Sequence, residues 1–141
     1  MEELIIRNLL QLLLLILLLL VVGCSNNVFQ DNITITSIEI MKFKNSPPTE
    51  EYYNEEGEVI SVITSEEEIS KIIKSIEGAE SESLENANIA LPNYMLIFKN
   101  NGEKVKSLGY NPDVESKDYF YDISEDMRYK TNPIKLMEKY K

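Results

Sequence analysis

The hydrophobic pattern divides the chain into an apolar block and a globular remainder. From Leu9 to Val22 only Gln11 is polar, and the block ends in Leu20-Val21-Val22-Gly23-Cys24. As a helix it reaches about 21 Å, short of the roughly 30 Å hydrocarbon core that a spanning helix must cross. It reads as the apolar region of a secretion signal. A plain transmembrane anchor is the alternative if Leu4, Ile5 and Ile6 join the run, but Arg7 and Asn8 would then sit in the bilayer at a cost.

Beyond Cys24 the periodicity is that of a small folded domain. Ser25 to Asn32 is polar, and as a flexible tether it would reach about 15 Å. Ile33, Ile35, Ile38 and Ile40 alternate in two registers, which predicts a strand from Ile33 to about Phe43 with a bulge at Thr36 or Ser37. Residues 45–57 hold Pro47-Pro48, Tyr52-Tyr53 and Glu50, Glu51, Glu55 and Glu56, the composition of an exposed acidic loop. Glu58 to Thr64 is rich in Val and Ile and predicts a second strand.

Ser65-Glu66-Glu67-Glu68 then forms a capping box whose acids complement a helix dipole. Ile69, Ile72, Ile73 and Ile76 follow at helical spacing, and Gly78 ends the helix. Such a stripe is a core face, although it could also receive a partner. Ala79 to Asn93 reads as a long loop, mobile or else carrying a partner site, Tyr94 to Lys99 as a central strand apolar on both faces, and Asn101-Gly102 as a tight turn into Glu103 to Tyr110.

Asn111-Pro112-Asp113 predicts another turn, before Tyr119, Tyr121 and Ile123 alternate with Asp118, Phe120 and Asp122 in a fifth strand. A sixth falls at Met127 to Lys130. Asn132 as cap and Pro133 at the first helical position open a closing helix with Ile134, Met137 and Tyr140 on one face. The predicted class is α+β: an antiparallel meandering sheet of five to six strands, one main helix after strand two packed on one face, and a short C-terminal helix. Residues 33–141 would form this single domain.

Val21-Val22-Gly23-Cys24 resembles the bacterial lipoprotein signal, whose lipobox runs aliphatic, small or aliphatic, Gly or Ala, Cys. The resemblance implies a diacylglycerol thioether on Cys24 and cleavage between Gly23 and Cys24, leaving residues 1–23 as signal peptide. Small Gly23 gives a peptidase access to the backbone, and a thiol supplies the nucleophile for the thioether. The leader should be positive, yet Arg7 and the amino terminus stand against Glu2 and Glu3. A start codon placed elsewhere than Met1 is one explanation.

The wider pattern, in Ile38 to Phe43, the strand and helix from Ile60 to Ile76 and the hairpin from Tyr94 to Tyr110, resembles small lipoproteins of Gram-positive bacteria, including the YhfM-like group. That likeness implies an address and an architecture, the outer face of the cytoplasmic membrane and a small α+β domain. It implies no activity.

Charge and residue types narrow the chemistry. Cys24 is the only cysteine, so no internal disulfide or thiol redox pair can form. Residues 1–23 carry Glu2, Glu3 and Arg7; without them 22 acids face 13 bases, against 24 and 14 in the whole chain, and the net charge is −9 rather than −10. Such a domain is expected to avoid nucleic acid and anionic headgroups, and to stand off the membrane on its tether. Twelve Lys against two Arg fits an AT-rich genome.

The chain has no histidine, which removes the commonest general base and metal ligand. No catalytic residue and no cofactor are expected. Asp113, Glu115 and Asp118, with Asp122, Glu125 and Asp126, could offer oxygens to calcium, but they lack the spacing of a calcium loop and read more simply as a solvated acidic face. Tyr119 and Tyr121 could line a contact surface, or be half-buried sheet residues. The Tyr52-Tyr53 loop with Glu50, Glu51, Glu55 and Glu56 is the expected contact surface for a protein or a cell-envelope polymer. The expected function is a lipid-anchored, non-catalytic interaction module, with an acidic calcium-handling lipoprotein as the alternative.

Overall fold

A computed structural model of the chain describes residues 1–19, 25–44, 57–86 and 91–140. The first element is α1 (Glu2–Leu19), and up to Ile16 its apolar side chains are exposed; Leu9, Leu10, Leu13 and Leu14 are each more than 60 % exposed. Among the described residues no helix is long and apolar enough to cross a membrane.

The domain is α+β, built on one antiparallel sheet of seven strands. These are β1 (Ser37–Phe43), β2 (Gly57–Ile63), β3 (Glu80–Ser83), β4 (Tyr94–Asn100), β5 (Glu103–Val114), β6 (Lys117–Asp122) and β7 (Met127–Thr131). Their spatial order is β2-β1-β4-β5-β6-β7-β3. Two further helices join them, α2 (Glu66–Glu77) and α3 (Leu136–Lys139).

Strand alternation decides the two faces. Ile38 and Ile40 of β1, Leu96 and Phe98 of β4, Leu108 and Tyr110 of β5 and Phe120 of β6 all point to one side, where Ile69, Ile72 and Ile76 of α2 close the main core. α2 forms where the capping box predicts: the Ser65 hydroxyl accepts from the Glu68 N–H at 3.4 Å, and the Gly78 N–H donates to the Lys74 carbonyl at 3.0 Å. Ile73, in the same stripe, is only half-buried. On the opposite face Met41, Phe43, Met95 and Ile97 form a smaller cluster.

Several sequence expectations change. The sheet has seven strands rather than five or six, and it is not a simple meander, because β1 sits between β2 and β4 while β3 lies at the far edge. The extra strand, β3, falls in the segment expected to be a mobile loop. Glu80-Ser81-Glu82-Ser83 has no apolar pattern, yet it pairs residue by residue with Lys130 to Met127. A 3-10 turn at Leu84–Asn86 follows.

The first strand begins at Ser37, not Ile33. Residues 33–36 approach it as an extended lead-in, tied by the Thr36 N–H to the Lys99 carbonyl at 2.8 Å. The register shift lies between Ile40 and Met41 against β2, where β2 carries the extra residue, rather than at Thr36 or Ser37.

Asn111-Pro112-Asp113 is a bulge within β5, not the turn. The chain reverses at Glu115 and Ser116, both at positive φ (51° and 63°). Asn132 and Pro133 do not open the closing helix; it starts at Leu136 after Lys135 in the left-handed conformation at φ 57°. The segment expected to be a polar tether also belongs to the domain. Val28 and Phe29 are 6 % exposed in the core, and the Phe29 ring lies 4.7 Å from that of Phe98.

The path around the sheet explains how both faces are covered. α2 carries the chain from β2 at one edge to β3 at the other. Residues 91–93, which lead into β4, lie on the opposite face, and Pro92 is so close to Gly109 that an added Cβ there would stand 2.6 Å from the proline Cγ. Asn111 pins this segment: its Oδ1 accepts from the Asn93 N–H at 2.8 Å and its Nδ2 donates to the Leu91 carbonyl at 3.3 Å.

Candidate functional site

Two groups of sequence-designated residues, Gly23 and Cys24 of the lipobox and the Tyr52-Tyr53 loop with Glu50, Glu51, Glu55 and Glu56, lie outside the described residues. The remaining candidates lie on β5 and β6 and in the turns that follow them, and the structure separates them.

Alternation in β6 sends Asp118, Phe120 and Asp122 into the core and Tyr119 and Tyr121 to the other face. Asp118 is 1 % exposed. Its Oδ1 accepts the Asp113 N–H at 2.9 Å, and its Oδ2 accepts the Tyr110 hydroxyl at 2.9 Å and the Ile134 N–H at 3.0 Å. Three donors satisfy a carboxylate that burial would otherwise penalise. Burial first, and then the neighbouring Asp118 charge, push the Tyr110 phenol well above its ordinary pKa, so it stays protonated and donating.

Asp118 is therefore a structural hub whose carboxylate already receives three donors, and Asp113 and Glu115 are exposed residues of the bulge and turn beside it. Among the described residues no group of three His, Cys, Asp or Glu side chains could hold a metal ion.

Asp122, also 1 % exposed, closes the β6–β7 turn. Its Oδ1 accepts from the Ser124 hydroxyl at 2.7 Å and the Glu125 N–H at 3.3 Å. Lys106 Nζ stands 2.6 Å from Oδ2 as the charge partner, although off the hydrogen-bonding line. A buried carboxylate needs such a counter-charge, and removing one partner of the pair is costly.

On the other face the Tyr119 and Tyr121 rings stack at 6.5 Å and 23°. The Arg128 guanidinium lies 4.9 Å from the Tyr119 centroid and is bound by Glu82 of β3. Tyr121 is only 4 % exposed, so its ring packs within the sheet rather than offering a flat contact area. Burial raises its phenol pKa. Lys130 and Glu80 pair beside them at 2.7 Å, and the two cross-strand ion pairs together hold β3 to β7.

Sequence reasoning missed one constellation. Lys74 from the last turn of α2, Lys117 at the start of β6 and Lys130 of β7 converge on an open cavity of about 300 Å³, with Gly78, Ala79 and Glu80 on its walls. They come from three separate stretches, so no local pattern announces them.

No protein-family model, curated protein or solved structure matches this chain.

Proposed function

We propose that the chain is a bacterial lipoprotein: Cys24 carries diacylglycerol after removal of residues 1–23, and residues 25–141 form a non-catalytic interaction module on the outer face of the cytoplasmic membrane. The observation that carries this reading is the Val21-Val22-Gly23-Cys24 lipobox after an apolar helix whose described side chains, from Leu4 to Ile16, are exposed. An exposed leucine face of this kind is unfavourable in water and suits a segment read by a translocation machinery and then removed. The likeness of the domain pattern to small Gram-positive lipoproteins points the same way.

The assignment as an interaction module is supported by how the buried polar groups are used. Asn111 and Asp118 bond to backbone or to the Tyr110 hydroxyl, Asp122 binds its own turn and Lys106, and Thr131 donates to the Asn132 carbonyl. Each is committed to holding the fold. The Tyr52-Tyr53 loop, with its flanking glutamates, is the contact surface of this reading, suited to a basic or polyhydroxy partner.

Replacing Cys24 with Ser tests the anchor. The Cys24→Ser protein should accumulate as an unprocessed precursor and incorporate no labelled fatty acid, whereas the parent is labelled and shortened. Continued labelling of the variant would overturn the proposal.

A further inference from the structure

The chain leaves the Cys24 region at a place with its own local charge. Asn26 is fixed at the C-terminal end of α2, where its N–H donates to the Glu77 carbonyl at 2.8 Å and its Nδ2 to the Ala79 carbonyl at 2.7 Å. Two residues span at most about 7 Å, so the Cys24 anchor is held within that distance of Asn26. Gly78 and Ala79 also line the cavity of about 300 Å³ whose charged walls are Lys74, Lys117, Lys130 and Glu80.

Glu80 is spent on Lys130. Ion pairs take up Lys99, Lys106, Arg128, Lys130, Lys135 and Lys139, among others. Lys74 and Lys117 stand outside them, and Lys117 donates to Asn132 Oδ1 at 2.7 Å instead. An acidic domain therefore gathers three ammonium groups around this mouth. A helix C-terminus by itself repels anions, but here the Asn26 and Gly78 donors cover the Glu77, Ala79 and Lys74 carbonyls.

We propose that this lysine-lined mouth docks on the anionic headgroups of the bilayer to which Cys24 is tied, so that the domain rests on the membrane in one orientation. The proposal rests on the lipoprotein reading. The average charge of −9 predicts repulsion, but only charges within about a Debye length of the surface, roughly 8 to 10 Å, are felt there. The anchor keeps Lys74 and Lys117 close to the surface. Glu66 and Glu67 stand at the opposite end of α2, about 15 to 17 Å from Glu77, where screening weakens their effect; Glu77 itself lies at the anchored end, so the three ammonium groups there face the two carboxylates of Glu77 and Glu80.

Lysine footprinting tests the orientation. The lipidated protein, extracted from membranes of cells expressing the full chain, is added to vesicles of phosphatidylcholine alone or mixed with phosphatidylglycerol. It is then acylated briefly with a membrane-impermeant reagent and read by peptide mass. Lys74 and Lys117 should be labelled about fivefold more slowly on the anionic vesicles, while Lys104 and Lys139 are unchanged. Equal labelling on both vesicles, or protection at Lys104 or Lys139 instead, overturns the orientation alone. An N-terminal peptide carrying no lipid overturns the anchoring reading and the orientation with it. The same protection by soluble glycerol phosphate without vesicles overturns membrane docking in favour of a free-phosphate site.

Discussion

The Tyr110 hydroxyl donates to Asp118 Oδ2 across 2.9 Å inside the core, linking β5 to β6 at the point where the C-terminal segment is also received through the Ile134 N–H. Removing the carboxylate leaves three donors without an acceptor. Asp118→Ala should therefore cost about 3 to 5 kcal/mol in urea unfolding, and Tyr110→Phe, which removes one donor, about 1 to 2 kcal/mol. A loss under about 1 kcal/mol for Asp118→Ala would mean that the hub does not exist in solution.

The segment leading into β4 makes a steric prediction. Gly109→Ala places a methyl group 2.6 Å from Pro92 Cγ and should cost about 1 to 3 kcal/mol by overpacking. Pro92→Ala in the same chain should return part of that loss, because the clash is with the ring itself. Additive losses in the double-mutant cycle would place the proline elsewhere.

Within the isoleucine stripe the structure distinguishes neighbours that the sequence treats alike. Ile72 is 3 % exposed while Ile73 is half-buried. Ile72→Ala should cost about 2 to 5 kcal/mol and Ile73→Ala distinctly less. Equal losses would require a different rotation of α2.

Glu68 ties α3 to the first turn of α2. Hydrogen bonds from Lys139 and then Tyr140 hold its carboxyl below the ordinary glutamate range. A carboxyl whose folded pKa is depressed supports the fold above its unfolded pKa and loses that contribution as pH falls through the folded value. The contact should hold at neutral pH and release below the pH at which a free glutamate titrates. The Tyr140 ring signals in a magnetic resonance titration should report that midpoint, and a midpoint at or above the free value would show that the contact is not made.

Local signals in the sequence foretold local structure. Ser65, the isoleucine spacing and Gly78 specify α2 because cap, stripe and stop all lie within one helix length. Asn101 and Gly102, at φ 48° and 87°, take the hairpin conformation for which such residues are chosen. What was illegible depends on distant partners. β3 is a strand because Arg128 and Lys130 wait across the gap for Glu82 and Glu80. The bulge at Asp113 and the late start of α3 both follow from Asp118, which binds the Asp113 and Ile134 N–H groups; an aspartate in a tyrosine-rich alternation gives no sign that it faces inward. Val28 and Phe29 are two apolar residues in a polar stretch, too few to make a period, and only the core around Phe98 gives them a place.

The position of β3 has a consequence for the order in which the molecule can be assembled. Among the described residues its only strand neighbour is β7, with Ser83 opposite Met127 and Glu80 opposite Lys130. A chain delivered from its N-terminus, whether by a ribosome or through a translocation channel, exposes β3 long before β7 arrives. An apolar strand left waiting would invite pairing with another chain. Glu-Ser-Glu-Ser can remain hydrated meanwhile, and its pairing partners Arg128 and Lys130 are supplied by the last strand. The polar character that hid this strand from sequence reading is thus what lets it be the last one laid down.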